Sequence, residues 1–389
     1  MLFVALLPWE YGIRNLLRRP LRSGLTLVGL STVVLLVLVV VGFIRGLERA
    51  LAVSGDPSTV IVFSLGMGEN LEYSSVPMRT SDLVAASIAG VREQYGKKFA
   101  SPELYLGTQI RTSKESEPGM GLVRGVTPSA LLVHSQIEIV EGSWPQSNEV
   151  IIGRLAGTKI GMSEQQTRIG QSLWLEGREW RISGVFSAAG AVFESEIWCR
   201  LDDLQQAMKR QDLSLVALTL GPDAEFQDVD LFCKKRLDLE LQAVSQVEYF
   251  ETLQKDYKPV RLLAWLVAFL IFAAGVFAGL NTMYGAVVGR VRELATLQTI
   301  GFQRRAAVVS IVQEGTILAA TASLVASSLA LFIVNGAAVR FTMGAFELRV
   351  DSMSLLYGCG TGLALGILGS LPPAIRVLRL PVVEGLKAV

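Results

Sequence analysis

Four long runs of mainly apolar residues stand out along the chain, and each is long enough to cross a membrane as a helix. A bilayer core about 30 Å thick needs about 20 mostly apolar residues in a helix. The first run is longer than the apolar segment of a secretory signal, so we expect it to be retained as an anchor. The pattern predicts four transmembrane helices, at residues 24–44, 262–289, 306–338 and 352–375.

The stretch between the first two runs, residues 45–261, alternates short β-like segments with turn residues and predicts an inserted domain of α+β type. Two strand–helix units, 59–63 with a helix opening at 80–82 and 214–220 with 224–239, would pair into an α/β subdomain. The segments between them predict a second, β-rich subdomain. The flanks of the insertion are compatible with helices and would extend the neighbouring spans outward as a stalk.

The composition agrees with a membrane protein, since 51% of the 389 residues are hydrophobic, only 18% are charged, and the mean hydropathy is +0.44. A balance of 36 Lys and Arg against 35 Asp and Glu argues against nucleic-acid binding. With one histidine, His134, and three scattered cysteines, no metal site is expected. Whether Cys199 and Cys233 form a disulfide stays open.

The short basic segments predict the topology, because Lys and Arg favour the cytoplasmic side of a membrane. With four spans, the three basic segments fall on one side, so residues 1–23, 290–305 and 376–389 are expected in the cytoplasm. Residues 45–261 and the short loop 339–351 are then outside. The N-terminal segment suits an amphipathic helix on the membrane surface, although a simple basic flank explains it nearly as well.

No enzyme chemistry is apparent in the sequence. The nearest approach to a phosphate-binding loop, residues 153–159, has the wrong spacing, and there is no G-x-S-x-G motif. The acidic pairs Asp202–Asp203 and Glu194/Glu196 are interpreted as solvated surface. We therefore expect a subunit that is not catalytic and holds no cofactor.

The loop between the second and third runs carries the strongest functional signal. It has charges at Arg290, Arg292 and Glu293, apolar Leu294 and Leu297 on one side, and a Gly-Phe stop. Such a short amphipathic helix is suited to docking on another protein, or to resting on lipid headgroups. A few residues later, Glu314 lies about 13 Å inside the third run, where a carboxylate needs a hydrogen-bonding partner.

These residues resemble a known pattern. Arg292-Glu293-Leu294, Gly301 and Glu314-Gly315 match the coupling-helix region of the MacB/FtsX/LolC-type permeases, the mechanotransmitting ABC transporters. The C-terminal motif is similar to that family's closing motif, with Gly385 where alanine is usual, and its residues are Pro373, Arg376, Pro381, Glu384 and Leu386. The resemblance spans nearly the whole chain and implies a MacB-like periplasmic core domain between spans one and two.

The resemblance also implies partners. The chain would be an inner-membrane permease subunit that pairs with a second permease copy or a paralogue and with two copies of a separate ATPase, which binds ATP and Mg. A periplasmic adaptor and an outer-membrane channel are further expected partners. The ATPase contact would be formed by the coupling-helix residues Arg290, Arg292, Glu293, Leu294, Leu297, Gly301 and Phe302.

Three functions remain to be compared. The leading hypothesis is export or extraction of a substrate from the periplasm or outer leaflet. The alternative is an FtsX-like signal transmitter that activates a cell-wall hydrolase, while a secondary transporter would need more spans. Lipoprotein, peptide, macrolide-like and glycolipid substrates are all compatible with the sequence, as are homodimers and heterodimers.

Overall fold

The structure is a computed structural model that describes residues 9–68, 70–163, 165–342 and 344–379. The chain divides into two compact units. The first unit contains the described residues up to Arg45, Pro259–Ala337 and the described residues from Leu348 onward. The second unit contains Gly46–Lys258 and Ala338–Glu347.

The regular elements are helices and strands that follow one another along the chain. The helices are α1 Trp9–Arg18, α2 Pro20–Ser54, α3 Thr80–Ser87, α4 Ala130–Val133, α5 Ala156–Ile160, α6 Leu201–Met208, α7 Phe226–Lys235, α8 Gln246–Asp256, α9 Lys258–Val288, α10 Val291–Thr299, α11 Arg304–Leu329 and α12 Ser352–Arg379. The strands are β1 Thr59–Ser64, β2 Val76–Pro77, β3 Glu93–Gln94, β4 Lys97–Lys98, β5 Ala100–Arg111, β6 Gly119–Val126, β7 Glu138–Gly142, β8 Glu149–Gly153, β9 Ser172–Leu175, β10 Arg178–Ser187, β11 Glu196–Arg200, β12 Asp212–Leu213, β13 Leu215–Thr219, β14 Leu241–Ser245, β15 Ala338–Phe341 and β16 Gly344–Glu347.

Four of these helices are long and apolar enough to cross a membrane: α2, α9, α11 with its π-helical continuation Ala330–Val334, and α12. Each of the four predicted runs therefore contains a helix long and apolar enough to cross a membrane, and the third of these helices ends at Val334, before the predicted residue 338. On α9, large apolar side chains remain exposed, among them Phe269 at 63% and Phe277 at 71%. Such exposure is expected where lipid replaces water around a helix.

Helices α11 and α12 pack closely because small residues face each other. A Cβ atom added to Gly366 would lie 2.7 Å from Ala319 Cβ and 2.9 Å from the carbonyl oxygen of Gly315. Gly362 in the same helix faces Ser323 of α11. The small-residue spacing at Gly362 and Gly366 therefore serves packing within one chain.

The second unit is built around one large sheet with the strand order β14-β1-β13-β5-β6-β11-β8-β10-β7, and β9 pairs with both β10 and β5. Six strands, β5, β6, β11, β8, β10 and β9, thus close into a ring. The strands β13, β1 and β14 extend from β5 as an open wing. A single buried cluster includes Val62 and Val216 of the wing together with Trp180 and Ile197 of the ring.

The predicted elements of this unit are present. The strand predicted at 59–63 is β1, and the helix predicted from 80 is α3. The helix predicted at 224–239 is shorter, since α7 ends at Lys235 and a 3-10 turn follows. Because β5 belongs to both wing and ring, the predicted α/β and β-rich parts share one sheet.

The loop predicted between the last two spans contains a β-hairpin, β15–β16, that belongs to the second unit. Lys159 of α5 secures it, because its Nζ donates hydrogen bonds to the carbonyl oxygens of Phe341, at 3.0 Å, and Thr342, at 2.8 Å. The ring of Phe341 also meets the ring of Tyr257 edge to face, with centroids 5.0 Å apart.

The three cysteines are free, so Cys199 and Cys233 form no disulfide. Both side chains are buried in the core of the second unit. Burial raises the pKa of the Cys233 thiol to about 12 and raises that of Cys199 further. Neither thiol is therefore prepared for reaction at neutral pH.

Candidate coupling site

The predicted amphipathic loop is a separate short helix, α10, that lies between two long ones. It is preceded by a break at Gly289 and Arg290 and ends before Gly301, whose φ is +108°. The amide of Phe302 donates back to the carbonyl oxygen of Leu297 at 3.1 Å, a bond that such a left-handed residue permits. Glycine fits this position because it has no Cβ to oppose a positive φ.

One face of α10 is fixed to the rest of the first unit. Leu294 and Ala295 are buried, and Leu297 is half-buried. Leu294 belongs to an apolar cluster whose other members come from α9, α11 and α12, namely Val287, Ala307, Ile311 and Ala374. The cluster therefore packs α10 against three of the long helices.

The opposite face of α10 is exposed in the part of the chain that the structure describes. Arg292 and Glu293 are exposed, and Ile300 just after the helix is 71% exposed. A helix that is packed on one face and exposes apolar and charged side chains on the other is suited to a protein contact. Of the predicted ATPase-contacting residues, Gly301 is exposed and Phe302 is half-buried.

Arg290, which the sequence assigned to the same contact, has a different role in the structure. Its Nη1 lies 2.9 and 2.8 Å from the two carboxylate oxygens of Glu314, and both side chains are largely buried. The amide of Asn15 in α1 donates to Glu314 Oε1 at 2.8 Å. Arg290 and Leu294 are therefore largely buried within the unit. The predicted ATPase-contacting surface is thus reduced to the outward-facing residues of α10 and the turn that follows it.

Glu314 thus has the partners that its depth in the third span required. The arginine supplies a counter-charge and the asparagine a further hydrogen bond, so the carboxylate joins α1, the start of α10 and α11. Its assignment as a structural hydrogen-bonding residue agrees with these contacts. The pairing with Asn15 was not predicted, because 299 positions separate the two residues.

The C-terminal motif is described only in part. Pro373 is buried within α12, and the guanidinium of Arg376 lies over the ring of Tyr284 in α9, 5.0 Å from its centroid. A cation at this distance from an aromatic face is attracted to it. Pro381, Glu384 and Leu386 lie outside the described residues.

The second unit contains a buried ion cluster that the sequence did not reveal. Arg124 Nη1 lies 2.6 Å from Glu103 Oε2, while its Nε and Nη2 each lie 2.7 Å from an oxygen of Glu196. Nε2 of His134 lies 2.8 Å from Glu103 Oε1. All four side chains are at most 7% exposed.

These contacts determine whether Glu103 and Arg124 are charged. Burial opposes ionisation of Glu103, but His134 and Arg124 outweigh it and lower the pKa of this carboxyl to about 2. Burial likewise opposes the charge on Arg124, and the two glutamates outweigh it and raise its pKa. Both groups are therefore charged at neutral pH.

The expectation that the acidic pairs form solvated surface is wrong for three of the four residues. Glu196 belongs to the buried cluster, and Glu194, 1% exposed, accepts hydrogen bonds from Ser187 and from two backbone amides. Asp203 accepts from Ser147 and from the amide of Asn148. Among the described residues, no group of three or more His, Cys, Asp or Glu side chains could hold a metal ion.

Comparisons with known proteins match two parts of the chain to family models. A family model of the MacB-like periplasmic core domain matches residues 23–230, and a model of the FtsX-like permease C-terminal region matches residues 265–382. The uncharacterized ABC transporter permease YknZ of Bacillus subtilis (strain 168) is 20% identical over 398 residues, covering 96% of this chain and 97% of that protein.

Two solved structures are similar to part of the chain. The periplasmic region of MacB from Actinobacillus actinomycetemcomitans gives a TM-score of 0.40 at 10% identity, over 52% of this chain and 94% of that one. The extracellular domain of the noncanonic ABC-type transporter YknZ from Gram-positive bacteria gives 0.37 at 13% identity, over 48% and 99%. The first family model alone covers more than half of the 389 residues. The chain therefore belongs to the MacB/FtsX-type family of ABC transporter permeases.

Proposed function

We propose that this permease couples ATP hydrolysis by a separate ATPase subunit to movement of the second unit, and thereby drives export or extraction of a substrate from the periplasm or outer leaflet. The observation that carries the proposal is α10, a short helix with a charged outward face and an apolar inward face packed on α9, α11 and α12. A push on the outward face would reach the membrane helices without passing through a flexible linker.

The proposed orientation puts both termini and α10 in the cytoplasm and the second unit outside the inner membrane. It is supported by the charge of the short segments, since residues 14–22, 290–305 and 376–387 are all strongly basic. In this orientation α10 faces the compartment that holds ATP. ATP and Mg would be bound by the partner, because the chain has no phosphate-binding loop of its own.

Transmission to the second unit would use several connections at once. The chain passes between the two units four times, after Arg45, Lys258, Ala337 and Glu347. At the first of these positions α2 continues as one unbroken helix from Pro20 to Ser54. A stiff helix and the hairpin held by Lys159 are suited to carrying a displacement.

The match to a MacB-like core domain favours transport over the alternative, an FtsX-like signalling role. ABC permeases work with an ATPase, and here we propose two ATPase copies and a second permease copy or a paralogue. An adaptor and an outer-membrane channel would complete an export path. The substrate is not specified by these features.

The experiment that tests the coupling surface is a charge exchange on α10. The chain with Arg292→Glu and Glu293→Arg is co-expressed with its P-loop ATPase subunit, and the ATPase that co-purifies is measured. We expect a loss of about tenfold or more, because like charges would then face each other across the contact. A matched control exchanges Arg178 and Glu179, an exposed Arg-Glu pair on β10.

Unchanged co-purification of the ATPase with the α10 variant would contradict the proposed contact. An equal loss in the α10 variant and in the Arg178/Glu179 control would do the same, since the effect would then not be specific to α10. The thermal unfolding midpoint of each purified permease verifies that the exchanged residues, all exposed, leave the fold intact.

A further inference from the structure

The second unit encloses a cavity of about 220 Å³ that the proposed coupling does not use. An apolar cavity of about 150 Å³ engineered in another protein is known to bind benzene. The larger volume here suits a compound with one or two rings. Its wall includes Leu51 of α2 together with Phe250 and Leu253 of α8.

Aromatic side chains form much of the lining: Tyr73, Tyr105, Phe193, Tyr249 and Phe250. Phe193 and Phe250 are buried, and their rings meet edge to face with centroids 6.1 Å apart. Tyr73 is 76% exposed and so marks the opening to solvent. Aromatic faces carry negative potential and attract cations, most strongly where water is excluded.

A carboxylate without a paired counter-ion lies in the same lining. Glu72 is half-buried, and its Oε2 would be 3.1 Å from a Cβ atom placed on Gly107 of β5. Within the described ranges, Glu72 has neither a hydrogen bond nor an ion pair to another side chain. A carboxylate in a partly desolvated site gains from a charged hydrogen-bond donor.

A buried ring nitrogen without a partner completes the set. His134 lines the cavity and is 3% exposed, and its Nδ1 has no hydrogen-bond partner in the described part of the chain. Its Nε2 is occupied, because it forms a hydrogen bond with Glu103. Nδ1 is therefore the ring nitrogen that remains available to a ligand.

The charge balance of the lining excludes an anionic ligand. Arg124 is the lining cation, and two glutamates already bind its guanidinium. Together with Glu72, the lining has three carboxylates and one guanidinium, an excess of negative charge. The unpaired carboxylate of Glu72 and the aromatic faces of the lining therefore favour a ligand that donates hydrogen bonds and carries positive charge.

We propose that the cavity binds a small hydrophobic amine, an organic cation with one or two rings. The ring system would contact the aromatic side chains, and the ammonium group would pair with Glu72. The inference concerns binding alone and does not depend on the proposed coupling to an ATPase.

The test compares three probes of the same shape and different charge: 2-naphthylmethylamine as the cation, 2-naphthalenemethanol as the neutral analogue and 2-naphthoate as the anion. Binding to the full chain in detergent is measured by calorimetry, with detergent alone as the blank. We expect saturable binding of the amine, at least tenfold weaker binding of the alcohol, and no binding of the naphthoate.

The variant Glu72→Gln removes the charge and keeps the shape. It should weaken binding of the amine by about tenfold or more and leave the alcohol unchanged, because a hydrogen bond to a charged group is lost. The control Glu138→Gln changes an exposed glutamate of β7 and should have no effect.

Several results would overturn the proposal. These are the absence of saturable amine binding, equal affinities for the three probes, and unchanged amine binding by Glu72→Gln. Because the assay contains neither ATPase nor nucleotide, its failure would leave the coupling proposal standing, and failure of the α10 exchange would leave this inference standing. Thermal unfolding of each variant shows that a loss of binding is not a loss of fold.

Discussion

At the scale of single residues, the most informative feature is the way buried charges are paired. Each unit holds an ion pair in its interior: Arg290 with Glu314 in the first, and Arg124 with Glu103 and Glu196 in the second. Removing one partner of such a pair leaves an uncompensated buried charge, which costs far more than the pair contributes. The two clusters therefore restrict which substitutions each unit tolerates.

The cluster around Glu103 predicts a specific pH dependence. The pKa of this carboxyl falls from 4.5 to about 2 on folding, so its contribution is fully present above pH 4.5 and is lost as the pH falls towards 2. At neutral pH this shift contributes on the order of 3 kcal/mol to the free energy of unfolding. The variant Glu103→Gln should lower the thermal unfolding midpoint at pH 7.

The difference between wild type and Glu103→Gln should then shrink as the pH is lowered from 5 to about 2.5, because the wild-type carboxyl becomes protonated in that interval. Intrinsic tryptophan fluorescence reports the midpoint, and Trp198, whose indole donates to Glu196, lies beside the cluster. Glu138→Gln, on an exposed strand, is the control. A difference that stays constant across this range would show that Glu103 does not act through its charge.

None of these pairs could be predicted from the sequence. Glu103, Arg124 and Glu196 come from three different strands and His134 follows α4, and no local spacing distinguishes a buried glutamate from an exposed one. Glu314 was different, since a carboxylate inside an apolar run has to be satisfied. The sequence therefore indicated that a partner was needed, but not which residue supplies it.

At the scale of elements, glycines of the first unit allow α11 and α12 to pack in close contact. Gly366 faces the backbone of α11 at Gly315 and Thr316, so an added methyl group could not be accommodated by a side-chain rotation alone. Gly360 of the same helix has open space around its Cα. The two positions form a matched pair.

Gly366→Ala should destabilise the protein, whereas Gly360→Ala should leave it unchanged or slightly more stable, because alanine favours a helix more than glycine does. Overpacking of this kind costs about 1–3 kcal/mol. The measurement is the thermal unfolding midpoint of both variants in the same detergent. Equal midpoints for the two variants would disprove the close packing of α11 on α12.

The elements themselves were predictable to different degrees. The four membrane helices follow from the length of uncharged, mostly apolar sequence, because a run of about 20 such residues is typical of a membrane-spanning helix. The strand β5 was missed, because Pro102 and Gly107 interrupt its pattern and both residues weaken a strand assignment. The connection of wing and ring through β5 could therefore not be predicted from the sequence.

At the scale of the whole molecule, we propose that the outward-facing helix α10 of the membrane unit receives force and that this force moves the second unit. The number of spans, the inserted domain and the family could all be predicted from the sequence. Which face of α10 is accessible could not, because accessibility depends on packing with three distant helices. Nothing in the sequence pattern indicated that the last loop contains a hairpin belonging to the second unit.

The proposed movement is tested most directly by the distance between spin labels at Tyr95→Cys and Phe332→Cys, positions that are 96% and 89% exposed in the second and first units. The three native cysteines are replaced by alanine, and the labelled chain is reconstituted with its ATPase and diluted with unlabelled chain. We predict that trapping with Mg-ATP and vanadate produces a distance distribution different from that without nucleotide, and that the Arg292/Glu293 exchange abolishes the difference. Identical distributions in an actively hydrolysing complex would contradict the claim that ATP hydrolysis moves the second unit.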